Sequence, residues 1–240
     1  MPTVLLLPDS ALLVPGAAGS QADPLAGARA AVLAELRAAA RGPVLVVAPG
    51  RGTRALTGPF GDGLAAAGIA RASTGSASGT SAPAVVATPG VGAAAALALL
   101  ALAGHDPDRA ATVLETGPEP GPAWPAGPAS PPELVLVVGS LSARHGPDAP
   151  LPDDPEAIAA DVALLTALAA GPRALATVLR DLPLPQCDRL AITGGRPWRC
   201  VLSLLAGAGE LPDADAALLW SGTPGGAQHA VARWRIGAAA

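Results

Sequence analysis

The side chains able to do chemistry in this 240-residue chain are few. There are three His, two Cys and 19 acids, and no Lys, Tyr or Asn. Without Lys there is no Schiff base, no amine general base and no phosphate-binding P-loop lysine. Metal or acid–base chemistry must draw on His105, His145 and His229, which are far apart in sequence, or on carboxylates. Ser142 and His145 stand three residues apart, the makings of a nucleophile and its base. A hydrolytic triad also needs a carboxylate to orient the imidazole, and Asp148 is too near in sequence to offer that geometry readily. Asp153, Asp154 and Glu156 read as a helix cap and dipole complement rather than a metal cluster. His105, in His-Asp-Pro, reads as a C-terminal helix cap. His145 reads as an exposed loop residue and His229 as a packing or pocket residue of the last strand. Cys187 and Cys200 make no CxxC or zinc spacing and read as free thiols of a reducing compartment.

Two glycine turns, Gly50-Arg-Gly52-Thr-Arg-Ala55 and Gly90-Val-Gly92-Ala-Ala-Ala95, approximate a dinucleotide-binding loop. Neither has an acid about 20 residues on, and in a chain with 29 Gly they read as ordinary strand-to-helix turns. The net charge is −4 and the 15 Arg form no stripe, so a nucleic-acid partner has no electrostatic footprint. Trp198, Trp220 and Trp234 read accordingly as core or pocket wall. The opening segment has no basic start and is interrupted by Asp9, so it predicts a strand rather than a signal peptide. The most apolar run, Val91–Gly104, is too short to span a bilayer. These features predict a cytoplasmic protein with no membrane partner.

The elements that must position these residues alternate. Continuous apolar runs at Thr3–Leu7, Val44–Ala48 and Glu133–Val138 predict buried strands. Weaker strands are expected at 84–88 and 111–115. Helices are predicted from Asp23-Pro24 to Ala39, weakly over 62–68, and over 91–103. In the second half they are predicted from Asp154-Pro155 to Ala170, then over 172–180, 187–192 and 197–208. Ala214–Ser221 and Gln228–Ile236 read as an antiparallel closing pair. Residues 49–63, 71–82, 116–132 and 146–153 read as loops, with 71–82 and 116–132 flexible. The expected fold is one α/β domain over 1–240. It has a mostly parallel central sheet flanked by helices and an antiparallel C-terminal strand pair.

Four segments occur in an order that resembles a family. They are Leu5-Leu-Leu-Pro-Asp-Ser-Ala-Leu-Leu-Val-Pro15, Val137-Val-Gly-Ser-Leu-Ser-Ala-Arg144, Gly194-Gly-Arg-Pro-Trp-Arg-Cys-Val-Leu202 and Leu219–Trp234. Together they are similar to actinobacterial proteins of the class III extradiol ring-cleavage dioxygenase B-subunit-like family. The resemblance implies a single α/β domain. In active members two His and one Glu hold Fe(II) at the strand ends, and a further His serves as acid/base. That ligand set leaves open positions for catechol and O2 together.

Carried onto this chain, the first His position falls on Asp9 and the second on Gly50. The acid/base position falls on Ala143 and the Glu position near Trp198. The resemblance therefore implies a non-catalytic homologue with no metal or cofactor. Its retained cleft would hold Asp9, Ser142, His145, Arg196 and Trp198. A small anionic or aromatic ligand would meet Arg196 as the charge and Trp198 as a flat wall. Oligomeric relatives imply a homodimer. Two alternatives stay open. One is a metal-dependent dioxygenase with relocated ligands, using His145 or His229 with Asp9. The other is a small-molecule or nucleotide-binding hydrolase built on the glycine turns.

Overall fold

Strands buried on both faces need continuous apolar sequence, and the runs at 3–7, 44–49 and 134–138 supply it. The computed structural model describes residues 2–19, 22–69, 86–118, 132–207 and 209–237. In chain order the elements begin with β1 (Thr3–Leu7), α1 (Ala26–Ala38), β2 (Val44–Pro49) and β3 (Arg54–Thr57). Then come α2 (Val91–Leu102), α3 (Pro107–Ala110), β4 (Ala111–Thr116) and β5 (Leu134–Val138). The rest are α4 (Pro155–Ala170), α5 (Pro172–Asp181), α6 (Leu184–Arg189), α7 (Gly195–Ala206), β6 (Ala214–Gly222) and β7 (His229–Ile236).

The described residues form a seven-stranded sheet in the order β3-β4-β2-β5-β1-β7-β6. β4, β2, β5 and β1 are mutually parallel, and β3, β7 and β6 run antiparallel to their neighbours. The fold is the expected α/β class with its antiparallel closing pair. Alternation along each strand divides the core in two. Leu5, Val46 and Leu136 face α1 and α2, whereas Leu6, Val47 and Val137 face α4, α5 and α7. α1 turns Ala28, Val32 and Leu36 inward at helical spacing. α4 begins at the Asp154 cap, whose carboxylate accepts the Glu156 N–H at 3.0 Å, and stops at Gly171, where φ is +105°.

Several local expectations need correction. β3 lies in the stretch read as loop; it is an exposed edge strand with no apolar run to mark it. The strand expected at 84–88 is a single bridge between Ala87 and Phe60 within the described residues; 84 and 85 lie outside them. The helix expected over 62–68 is one 3-10 turn, Ala65–Ala67, closed by left-handed Gly68. α1 starts at Ala26 rather than Pro24, because Asp23 accepts the Leu25 N–H and pairs with Arg29 instead of capping the helix itself. The helix read over 187–192 lies earlier, at Leu184–Arg189, started by Pro183 and Pro185 and stopped before Ala191, which has φ +56°. The loop 71–82 and residues 119–131 of the loop 116–132 lie outside the described residues. No helix of the described residues is long and apolar enough to cross a membrane.

Candidate functional site

β1 leads into α1 on one face of the sheet, and its neighbour β5 leads into α4 on the other. The two connections diverge at the carboxyl ends of the parallel strands, the position at which an open α/β sheet forms its ligand crevice. Asp9 follows β1 and Ser140 follows β5 at this point. The Asp9 N–H donates to Ser140 Oγ (2.9 Å), and the Ser140 N–H donates to Thr193 Oγ1 (2.9 Å). Ser140 Oγ also lies 2.9 Å from His229 Nδ1. The Thr193 hydroxyl in turn donates to the Asp9 carboxyl.

Burial raises the Asp9 carboxyl above its ordinary value, and Thr193 only partly opposes this. Burial also pushes His229 down to about 4, so its imidazole is neutral at physiological pH. The close packing beneath the crevice depends on glycine. A Cβ on Gly139 would come within 2.4 Å of the Gly194 Cα. One on Gly194 would strike the Trp198 ring at 2.2 Å.

Beside this network a cavity of about 270 Å³ opens between the ends of β2 and β4 and helices α6 and α7. Pro49, Gly50, Thr116, Thr193 and Arg196 line it. Two expected contributions change here. Arg196 forks onto Asp188 at 2.6 and 2.9 Å, so its charge is already answered inside the protein. Trp198 is 1% exposed and packs in the core under Gly139 and Gly194, so it is no exposed flat wall. Its indole N–H meets no acceptor among the described residues. Cys187 also lines the cavity; burial raises its thiol, and raises Cys200 to about 12, so both stay protonated.

Ser142 and His145 belong to a separate cluster. Ser142 Oγ donates to Asp161 Oδ2 (2.6 Å) and the Ser142 N–H donates to Oδ1 (3.0 Å). His145 Nε2 lies 2.6 Å from the same Oδ2 and 2.9 Å from Ser142 Oγ. A ring nitrogen this close to a carboxylate oxygen carries the proton. It cannot then accept the serine proton, and the serine proton already points to Asp161. The three residues resemble a triad in type only: a working triad orients the imidazole from its other nitrogen. Ser142 is fully buried. The cluster fastens the strap after β5 to α4, and Asp161 rather than Asp148 is its carboxylate. Sequence reasoning missed Asp161, although one signal was present. It shares the inward stripe of α4 with Ala157, Leu164 and Leu168, where a lone acid needs a buried partner.

The other singled-out residues have structural partners. Ala143 donates its N–H to the Leu190 carbonyl. Asp154 and Glu156 pair with Arg189, and Asp153 accepts the Gly146 N–H. His105 is buried with Nε2 2.9 Å from the Leu36 carbonyl, so it ties α2 to the end of α1 instead of capping α2.

The Gly50 turn leads into strand β3, not into a helix, so it lacks the framework of a dinucleotide loop. The Gly90 turn does open α2, but carboxylates occupy its approach. Glu115 accepts the Gly90 N–H at 2.5 Å, and a Cβ on Gly92 would lie 2.3 Å from Asp9 Oδ1. These two carboxyl groups take the place at the helix N-terminus that a phosphate would need. Glu115, 1% exposed and 2.6 Å from Arg54 Nε, was not anticipated; its strand was expected but its partners are tertiary.

The chain matches no protein-family model and no curated protein. The three His fall in three separate places, at the crevice, on Asp161 and against α1. Among the described residues no group of three or more His, Cys, Asp or Glu is arranged to hold a metal ion. The crevice offers Asp9 and His229, the latter engaged through Nδ1, and Glu115 is taken up by Arg54 and Gly90. These donors do not fit a two-His-one-carboxylate iron site.

Proposed function

We propose that the chain is a non-catalytic, small-molecule-binding homologue of the class III extradiol dioxygenase B-subunit-like family, and that its ligand is a small uncharged aromatic. The observation that carries this reading is that the crevice disfavours charge and its cation is already paired. Asp9 is biased toward its acid form, His229 toward its neutral form, and Arg196 is cancelled by Asp188. Among the described residues that line the cavity a free anion would find no unanswered cation, which narrows the expected anionic or aromatic ligand to the aromatic one. The cavity, about 270 Å³, lies near the lower end of the range for small-molecule pockets and suits a single ring. Thr116 and Thr193, which line the cavity, offer hydrogen bonds to ring hydroxyls.

The substituted positions Asp9, Gly50, Ala143 and Trp198 support the non-catalytic part. Each has a packing or hydrogen-bonding role in the fold. The test is calorimetry with catechol and benzoate on the purified protein, beside an iron determination and an oxygen-uptake assay. Catechol should bind without turnover and benzoate should not bind. Stoichiometric iron with catechol-dependent oxygen uptake would sink the reading in favour of a working dioxygenase.

A further inference from the structure

One wall of the cavity beside the crevice carries its charge. Among the described residues that line it, Asp188 and Arg196 are the charged ones, and they flank the turn that joins α6 to α7. The strand-end wall, with Pro49, Gly50 and Thr116, is uncharged. The turn brings the two charges together. The Ala191 N–H donates to the Asp188 carbonyl (3.1 Å) and the Ile192 N–H to the Cys187 carbonyl (2.8 Å), which closes α6 on left-handed Ala191 and folds the chain back. The start of α7 then lies hard against α6: a Cβ on Gly195 would come within 2.9 Å of Cys187 Sγ.

Neither charge serves its own helix. Asp188 stands in the last turn of α6 and Arg196 in the first turn of α7, each at the end whose dipole disfavours it. They serve each other. Arg196 Nη1 and Nη2 donate to the two Asp188 carboxylate oxygens at 2.6 and 2.9 Å. Arg196 Nε is covered and meets no acceptor among the described residues, so the fork onto Asp188 is what answers the guanidinium. Arg196 holds the Asp188 carboxyl below its ordinary value, so both partners stay ionised at neutral pH. Their side chains are 26% and 53% exposed, so the pair borders solvent and contributes little to stability.

We propose that Asp188 sets the charge class of the ligand: it occupies Arg196 as a built-in carboxylate, turns ring acids away and leaves the cavity to uncharged rings. This role rests on the cavity taking a single ring, as proposed above. A ring carboxylate would seek Arg196 in the same two-point geometry that Asp188 already fills. Asp188 is tethered next to its target, so it competes at an effective concentration that a free acid does not reach. An acid that displaced it would stand beside an unpaired carboxylate, and the two like charges would repel. An uncharged ring asks nothing of Arg196 and leaves the pair intact.

The experiment is calorimetry with benzoate and catechol on the full chain as wild type, Asp188→Asn, Asp188→Ala and the double variant Asp188→Asn/Arg196→Gln, with circular dichroism of each. Asp188→Asn keeps the shape and one acceptor oxygen while removing the charge, and Asp188→Ala removes the fork outright. In both single variants the ratio of benzoate to catechol affinity should rise at least about tenfold, as expected for one charge-assisted hydrogen bond. The double variant should lose that gain, which separates a freed charge from a loosened turn. Catechol binding by the wild type with the ratio unchanged in both folded single variants overturns the role of Asp188 and leaves the single-ring reading standing. A gain that survives in the double variant overturns the role as well. A wild type that binds neither compound sinks the single-ring reading, and the role of Asp188 falls with it.

Discussion

Two serines two positions apart, Ser140 and Ser142, anchor two polar clusters at the end of the same strand, and the clusters are built to opposite ends. Ser142 sits with His145 on Asp161, a carboxylate that is 2% exposed and receives three hydrogen-bond donors. Ser140 sits with Asp9, Thr193 and His229, where Thr193 is exposed and Asp9 only partly covered. The first has every proton committed inside the protein and serves as a lock. The second joins groups whose charged forms burial disfavours, and it borders an open crevice. A Ser, a His and an Asp in contact are therefore no sign of catalysis by themselves. What separates lock from site is which nitrogen is protonated and whether the hydroxyl can reach solvent.

The contrast breaks most sharply at Asp161. Asp161→Ala leaves the Ser142 N–H, the Ser142 hydroxyl and the His145 ring without an acceptor in a buried setting. The expected loss is about 4 kcal/mol of unfolding free energy, read by chemical denaturation. Asp161→Asn should recover part of it, because the amide oxygen still accepts one bond. Catechol affinity per folded molecule should be unchanged in Asp161→Asn. If Asp161→Ala costs less than about 1 kcal/mol, the cluster is not a lock and the contrast fails.

His229 gives the next largest effect, and it depends on pH. Its pKa falls from 6.5 in the unfolded chain to about 4 in the fold. The folded state therefore refuses a proton that the unfolded state takes up. The stability tied to the neutral imidazole is fully present above pH 6.5 and is lost as pH falls toward 4, by about 3 kcal/mol in all. His229→Gln keeps a hydrogen-bonding side chain and should flatten the stability curve in that window. A variant curve parallel to the wild type between pH 6.5 and 4 would show that the crevice histidine is as indifferent to protons as a surface residue.

How much of this was legible in the sequence follows from the range of the interactions. β1, β2 and β5 were legible because burial on both faces demands unbroken apolar runs. The end of α4 was legible because Gly171 cannot be read otherwise after so long an apolar stretch. β3 was not, because an exposed edge strand such as Arg-Ala-Leu-Thr leaves no periodic trace. Ser142 and His145 could be singled out by type and place, and Asp9 through the family resemblance. Their partners could not, since Asp9 meets Ser140 across 131 residues and Ser140 meets His229 across 89. The same limit misjudged Arg196 and Trp198, whose chemistry is set by Asp188 and by the glycine packing above the indole.

The smallest effect is the most discriminating, because it changes sign between the two clusters. Where Asp161 stabilises the fold as a carboxylate, Asp9 is penalised as one: burial raises its pKa above 3.8. A raised carboxyl contributes stability below its unfolded value, and that contribution is lost as pH rises through the folded value. At neutral pH burying Asp9 therefore costs stability that it does not cost at low pH. Asp9→Asn removes the titrating group while its oxygen still accepts from Thr193. The variant should be more stable than wild type at pH 7 by about 1 kcal/mol, with the gap closing as pH falls toward 3.8. Paired denaturation curves of the two proteins at pH 7 and pH 4 measure this. A loss of stability at pH 7, as expected for Asp161→Ala, would mean that Asp9 is held as an anion by a partner in the crevice, and that the crevice does not disfavour charge after all.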